Sequence, residues 1–150
     1  MSEVFRAGDL LNSLVELEKT GNDFYLRMSR QAKDAKSGNL FRFLAGEEAK
    51  HEKIYVDLSQ ECGGSTAAHA DIDEEYGAYL KALLSQHFDF SPADPDTLEA
   101  ALKFAVSLEK DTLLYIGELQ NVLKDWKTDL FERIKKEERS HLKMLADLSK

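Results

Sequence analysis

Apolar residues in this chain return every three or four positions for most of its length, the spacing that lays a stripe along one side of an α-helix. From about residue 5 to residue 36 the stripe runs Leu11, Leu14, Glu18, Gly21, Tyr25 and Met28, with Ser37-Gly38 as the stop. Asn39 can cap a second helix, striped by Phe41, Leu44, Glu48, His51, Tyr55, Leu58 and Cys62 and ended by Gly63-Gly64. Asp94 as cap, with Pro95 at the first helical position, opens a third helix striped by Leu98, Leu102, Ala105, Glu109, Thr112, Ile116, Leu119 and Leu123. The last begins near Thr128 and reads Phe131, Ile134, Glu138, His141, Leu145 and Leu148. Between the second and third, Tyr76, Tyr79, Leu80, Leu83 and Leu84 share one side of a short helix, followed by Phe88 and Phe90.

The prediction is an all-α fold, a four-helix bundle with a long crossover connection containing a short helix. Second and third helices that run the same way need a connection that traverses the bundle, which is how ferritin-like bundles are wired. Residues 1–150 then form a single domain of two hairpins, 5–62 and 95–150, joined by the crossover 63–94.

Charge and imidazole break the apolar stripes at six places: Glu18, Glu48, His51, Glu109, Glu138 and His141. These breaks repeat. Leu40-Phe41, Glu47-Glu48, His51, Lys53 and Asp57-Leu58-Ser59 recur about 90 positions later as Leu130-Phe131, Glu137-Glu138, His141, Lys143 and Asp147-Leu148-Ser149. Val15, Leu17, Glu18 and Lys19 recur as Val106, Leu108, Glu109 and Lys110. Each hairpin thus carries one Glu on its first helix and Glu-x-x-His on its second.

Carboxylates on a core stripe cost several kcal/mol each to desolvate without a partner, and two neutral imidazoles cannot offset four of them. Lys19, Arg42, Lys110 and Arg133 fall off the stripes. Residues three apart on a helix share a face, so Glu48 with His51, and Glu138 with His141, can each address one ion. Four Glu and two His make up the ligand set of dinuclear carboxylate sites in four-helix bundles. Their charges balance two divalent cations, and mixed oxygen and imidazole donors suit iron or manganese, with zinc able to substitute.

Composition narrows the field. A net charge of -8 argues against nucleic acid as a partner. No apolar run approaches the roughly 20 residues that span a bilayer, so no membrane association is expected. The opening MSEVFRAGDLL lacks the pattern of a secretory signal, which leads to a cytoplasmic expectation. A single cysteine, Cys62, excludes an internal disulfide and any four-cysteine iron or zinc site, and is expected to pack near a helix end. His69 and His87 have no Glu three residues before them and are assigned to solvent or packing. Gly21, Ala105 and Thr112 are small, which serves close helix packing or leaves room at the site. Tyr25 and Tyr115 read as core aromatics, with hydrogen bonding or electron relay at the site as the alternative.

Glu18-Lys19-Thr20-Gly21-Asn22-Asp23-Phe24-Tyr25, Leu44-Ala45-Gly46-Glu47-Glu48-Ala49-Lys50-His51, Glu109-Lys110-Asp111-Thr112-Leu113-Leu114-Tyr115 and Glu137-Glu138-Arg139-Ser140-His141 resemble the four ligand helices of the rubrerythrin branch of the ferritin-like superfamily. The resemblance implies two iron ions held by Glu18, Glu48, His51, Glu109, Glu138 and His141, and reduction of hydrogen peroxide or use of dioxygen. It also implies an external electron donor such as a rubredoxin or flavoprotein, because the four-cysteine rubredoxin-like domain of full rubrerythrins is excluded here. Homo-oligomerisation, a homodimer for instance, is a further family-level expectation. One departure is Thr112, where rubrerythrins tend to carry an extra carboxylate one turn after the third-helix ligand. Bacterioferritins share the doubled Glu-x-x-His, yet Ala49 stands where they place a haem-ligating Met, and the chain stops after helix four, so a storage cage fits less well. Two other functional readings stand beside the oxidoreductase: a non-catalytic iron-binding, storage or sensing module, and a structural bundle with no metal.

Overall fold

The computed structural model describes residues 6–63, 72–87 and 95–150. Among these the chain forms five α-helices and no strand: α1 (Ala7–Gln31), α2 (Ala35–Cys62), α3 (Glu74–His87), α4 (Leu98–Val122) and α5 (Thr128–Leu148). The bundle is α1, α2, α4 and α5, and α3 is the short helix of the crossover. Among the described residues no helix is long and apolar enough to cross a membrane. The expectations for Gly64, His69, Phe88, Phe90 and Asp94, and for the side chain of His87, fall outside the described residues.

The stripes define the core, while three of the predicted helix boundaries move. α1 ends at Gln31, not at Lys36, and the cap of α2 is Asp34, not Asn39. Asp34 Oδ1 accepts the Ser37 backbone N–H at 2.8 Å and Oδ2 accepts the Ser37 hydroxyl at 2.9 Å, so both oxygens satisfy the first turn. Those hydrogen bonds hold the Asp34 carboxyl below its ordinary range. Gly38, predicted as a stop, is buried inside α2. α4 likewise starts at Leu98, where Thr97 Oγ1 accepts the Ala100 N–H at 3.1 Å, and Pro95 lies upstream of that cap. This late start leaves Leu98, counted on the core stripe, exposed, and Leu148 at the other end is only half-buried.

α1 packs on α2 along their length, α4 on α5 and on α1, whereas α2 and α5 touch only lightly. The crossover lies against α4. Tyr76 and Tyr79 hydroxyls both donate to the Glu118 carboxylate, the Tyr115 hydroxyl donates to the Leu83 carbonyl at 3.1 Å, and Leu80 is fully buried. Cys62 is buried as the last residue of α2, and burial pushes its thiol up. Leu10, Leu14, Leu17, Phe24, Phe41, Leu44, Phe131 and Ile134 are buried above and below a polar layer at mid-bundle. Each such side chain contributes about 2 kcal/mol, and together they offset the desolvation of the charged groups they enclose.

Candidate metal centre

All six residues singled out by the broken stripes meet in one layer. Glu18 on α1, Glu48 and His51 on α2, Glu109 on α4, and Glu138 and His141 on α5 are each no more than 2% exposed. Helical spacing brings His141 Nδ1 to 3.2 Å from Glu138 Oε2 on its own helix. Across the bundle, His51 Nδ1 stands 2.8 Å from Glu138 Oε1 and 3.9 Å from Glu18 Oε1, and His141 Nδ1 lies 3.8 Å from Glu109 Oε1. The two imidazoles stack with centroids 6.0 Å apart.

The donor atoms gather into two buried groups, each with its atoms within 4.8 Å of one another: Glu18, His51 and Glu138, and Glu48, Glu109, Glu138 and His141. Glu138 belongs to both, as a carboxylate between two ions would. Both oxygens of Glu18, Oε1 of Glu48, Oε2 of Glu109, Oε1 of Glu138 and Nδ1 of His51 are buried without a hydrogen bond. His51 Nδ1 and Glu138 Oε1 are thus 2.8 Å apart and yet not aligned on each other. Lone pairs that crowd together without bonding one another are arranged as ligands of a common cation are, so the residues fit a metal.

Electrostatics point the same way. Burial pushes Glu18 up to about 8 and Glu109 up to about 7, and lifts Glu48 well above the carboxylate range with help from Glu18 and Glu109. Burial opposes charge on His51 and His141 as well, but contact with Glu138 and its neighbours outweighs it and raises them to about 9 and about 10. Glu138 moves the other way: burial alone would raise it, and its contacts with Glu109, His141 and His51 hold it well below the usual range. The groups that act most on these carboxylates are one another and the two imidazoles, with no Lys or Arg among them. Buried carboxylates with no cationic side chain beside them are relieved of their charge by protonation or by a bound cation.

Neighbouring residues shape the layer. A Cβ on Gly21 would meet Glu48 Oε2 at 2.9 Å and Leu108 Cδ2 at 3.1 Å, so the glycine makes room for a ligand carboxylate. The Tyr25 hydroxyl donates to Glu109 Oε1 at 2.8 Å. Tyr115 is not at the site: six residues past Glu109 it faces a different side of α4, and its hydroxyl goes to Leu83 on the crossover. Thr112 donates its hydroxyl to the Leu108 carbonyl of its own helix at 3.1 Å.

Two residues at the site were not singled out in sequence. Tyr55, one turn past His51, has a fully buried hydroxyl with no hydrogen-bond partner. Glu137 Oε2 lies 2.7 Å from His51 Nε2, on the side of the ring away from the carboxylate cluster. Its only sequence signal is the doubled Glu in each repeat. Glu137 and His51 line a cleft on the lightly packed flank between α2 and α5, with Phe43, Arg133, His141 and Met144.

Fold and buried cluster together define a ferritin-like helical bundle with a carboxylate and histidine centre suited to two metal ions. The sequence profile of rubrerythrin matches residues 9–149, and the chain belongs to that family. Among solved structures, the chain is similar to a protein from Thermotoga maritima described as a candidate ferritin-like diiron-carboxylate protein, with 21% identity and a TM-score of 0.73 over 99% of this chain and 97% of that one. No curated protein sequence matches the chain.

Proposed function

We propose that the chain is a di-iron oxidoreductase that reduces hydrogen peroxide or dioxygen with electrons from an external donor, such as a rubredoxin or a flavoprotein. The observation that carries this reading is the set of six buried residues, Glu18, Glu48, His51, Glu109, Glu138 and His141, which gather in two groups that share Glu138 and of which all but His141 hold an oxygen or nitrogen without a hydrogen bond. Membership of the rubrerythrin family supports iron over manganese or zinc. Two ferrous ions bound there supply two electrons for cleavage of an O–O bond.

The protein's own part is to bind, orient and exclude water. Buried apolar layers above and below the centre keep bulk solvent from it. Tyr25 fixes Glu109 by donating to one of its oxygens, leaving the other free to bind. Tyr55 offers a buried hydroxyl with no other partner, a donor for a small oxygen species or its product. Stopped-flow mixing of the anaerobic ferrous protein with peroxide tests the reading: fast oxidation of about two irons per chain is expected, and oxidation no faster than that of free ferrous ion would overturn it.

A second reading, an iron-binding, storage or sensing module without turnover, is favoured by one observation. Thr112 spends its hydroxyl on its own helix and adds no further oxygen donor one turn past Glu109. In that case two ions bind and no reductant sustains turnover.

A further inference from the structure

The two imidazoles are equivalent in the repeat and unequal in the fold. His51 Nε2 is 2.7 Å from Glu137 Oε2, which reaches it from the opposite helix, and a Glu47 oxygen lies within 4.8 Å of both. Among the described residues His141 has no such neighbour: its carboxylate contacts are to Glu109 and Glu138, both through Nδ1, and its ring stands perpendicular to that of Phe43, with centroids 6.2 Å apart and planes at 89°. The repeat would have Glu47 serve His141 as Glu137 serves His51, but Glu47 turns to Lys50 at 3.4 Å on its own helix. The position matching Lys50 in α5 is Ser140, which offers Glu137 no cation, and Glu137 is free to cross to α2.

We infer that Glu137 is a positioning residue that makes the two metal positions unequal, so that the position at Glu18, His51 and Glu138 fills first and more tightly than the one at Glu48, Glu109, Glu138 and His141. The physical route is the imidazole's other nitrogen. A carboxylate that accepts the Nε2–H keeps the proton there, leaves the Nδ1 lone pair free for a cation beside Glu18 and Glu138, fixes the ring's rotation and makes Nδ1 a stronger donor. Such partners change metal affinity about 10-fold to 100-fold. His141 lacks that constraint and must fix its tautomer and ring angle when an ion arrives. The inference rests on the six-residue metal site proposed above and is independent of whether that site turns over.

The test is anaerobic titration of the full metal-free chain with Co(II), followed by calorimetry and by the visible cobalt spectrum. Wild type is expected to bind in two resolved steps. Glu137→Ala is expected to weaken the first step about 10-fold to 100-fold with its cobalt spectrum altered, and to leave the second step unchanged. Glu137→Gln, which still accepts the N–H but carries no charge, is expected to fall between. Glu99→Gln, at an exposed carboxylate near the start of α4, is the control and leaves both steps alone. A general loss of structure would weaken both steps together, and that outcome overturns the inference. So does a Glu137→Ala protein with both steps intact, or a wild type whose two ions bind in one unresolved step. A wild type that binds no cobalt overturns the metal site itself, and this inference with it.

Discussion

The two hairpins carry the same ligand pattern and are packed quite differently. In the first, α1 and α2 run close together along their whole length, while in the second α4 and α5 make a sparser contact. Side-chain size explains it. Gly21, Gly38 and Ala45 are buried in the first hairpin, and Thr112, Thr128 and Lys135 take the matching places in the second. Asn22 Nδ2 also bridges α1 to the Ala45 carbonyl at 2.7 Å, where the second hairpin has Leu113. The placement of the Glu and His side chains nevertheless survives in both, because residues three apart face one way on any helix. Packing is set by residues between the ligands, and these are free to diverge.

The largest expected effect separates two residues that the repeat makes equivalent. Glu138 lies in both donor groups and contacts both imidazoles, whereas Glu48 lies in one. Glu138→Ala is expected to lose both ions and about 3–5 kcal/mol of stability, since it strips a buried network of its central anion. Glu48→Ala should keep one ion per chain. Metal content by elemental analysis, with chemical denaturation alongside, decides whether the halves are unequal in this way; equal losses would make them alike.

Next in size is the effect of the metal itself. Ions that bind only the folded chain should raise stability by about 2.7 kcal/mol each at 100 times their dissociation constant, and calorimetric melting with iron or with chelator measures it. The pH dependence of the two forms should have opposite signs. In the metal-free protein Glu18 and Glu109 are raised to about 8 and about 7, and His51 and His141 to about 9 and about 10. A raised group stabilises the fold fully below its unfolded value and loses that contribution as pH climbs through the folded value. Metal-free melting temperature should therefore fall between about pH 5 and pH 9, and that of the metal-bound protein should not, because binding displaces those protons.

Gly21→Ala is smaller and bears on the close approach of α1 to Glu48 of α2 and Leu108 of α4. Its methyl would push on Glu48 Oε2, and a roughly tenfold loss of metal affinity, about 1.4 kcal/mol, is expected in the titration. Smallest is the turn between α4 and α5, where Asp125 and Lys127 adopt positive φ of 62° and 53°. Lys127→Gly should relieve about 1 kcal/mol of backbone strain, less a little for the exposed ion pair to Glu61, as measured by urea denaturation.

Helix stripes and the six buried polar residues that interrupt them were legible in the sequence because burial imposes periodicity, and a charged residue on an apolar stripe stands out from it. Helix starts were less so. Asp34, Ser37 and Asn39 are all good caps within six residues, and side-chain chemistry alone does not rank them; the fold uses Asp34, both of whose oxygens accept from Ser37. Glu137 and Tyr55 carry no such mark. One is a surface carboxylate until α2 approaches α5, and the other is an ordinary core aromatic until its hydroxyl is found without a partner. Tyr115 shows the converse, since nearness in sequence to Glu109 did not bring it to the same face.

The lightly packed flank between α2 and α5 has a kinetic consequence. Both imidazoles line that cleft, and the flank between α2 and α5 is packed more lightly than those between α1 and α2, α4 and α5, or α1 and α4. Ions that pass through the cleft exchange at a rate set by local side-chain movement, not by opening of the bundle. Exchange of bound cobalt for a chelator should then be flat across denaturant concentrations that leave the chain folded, so that the lifetime of the bound ion and the lifetime of the fold are separate properties of the molecule.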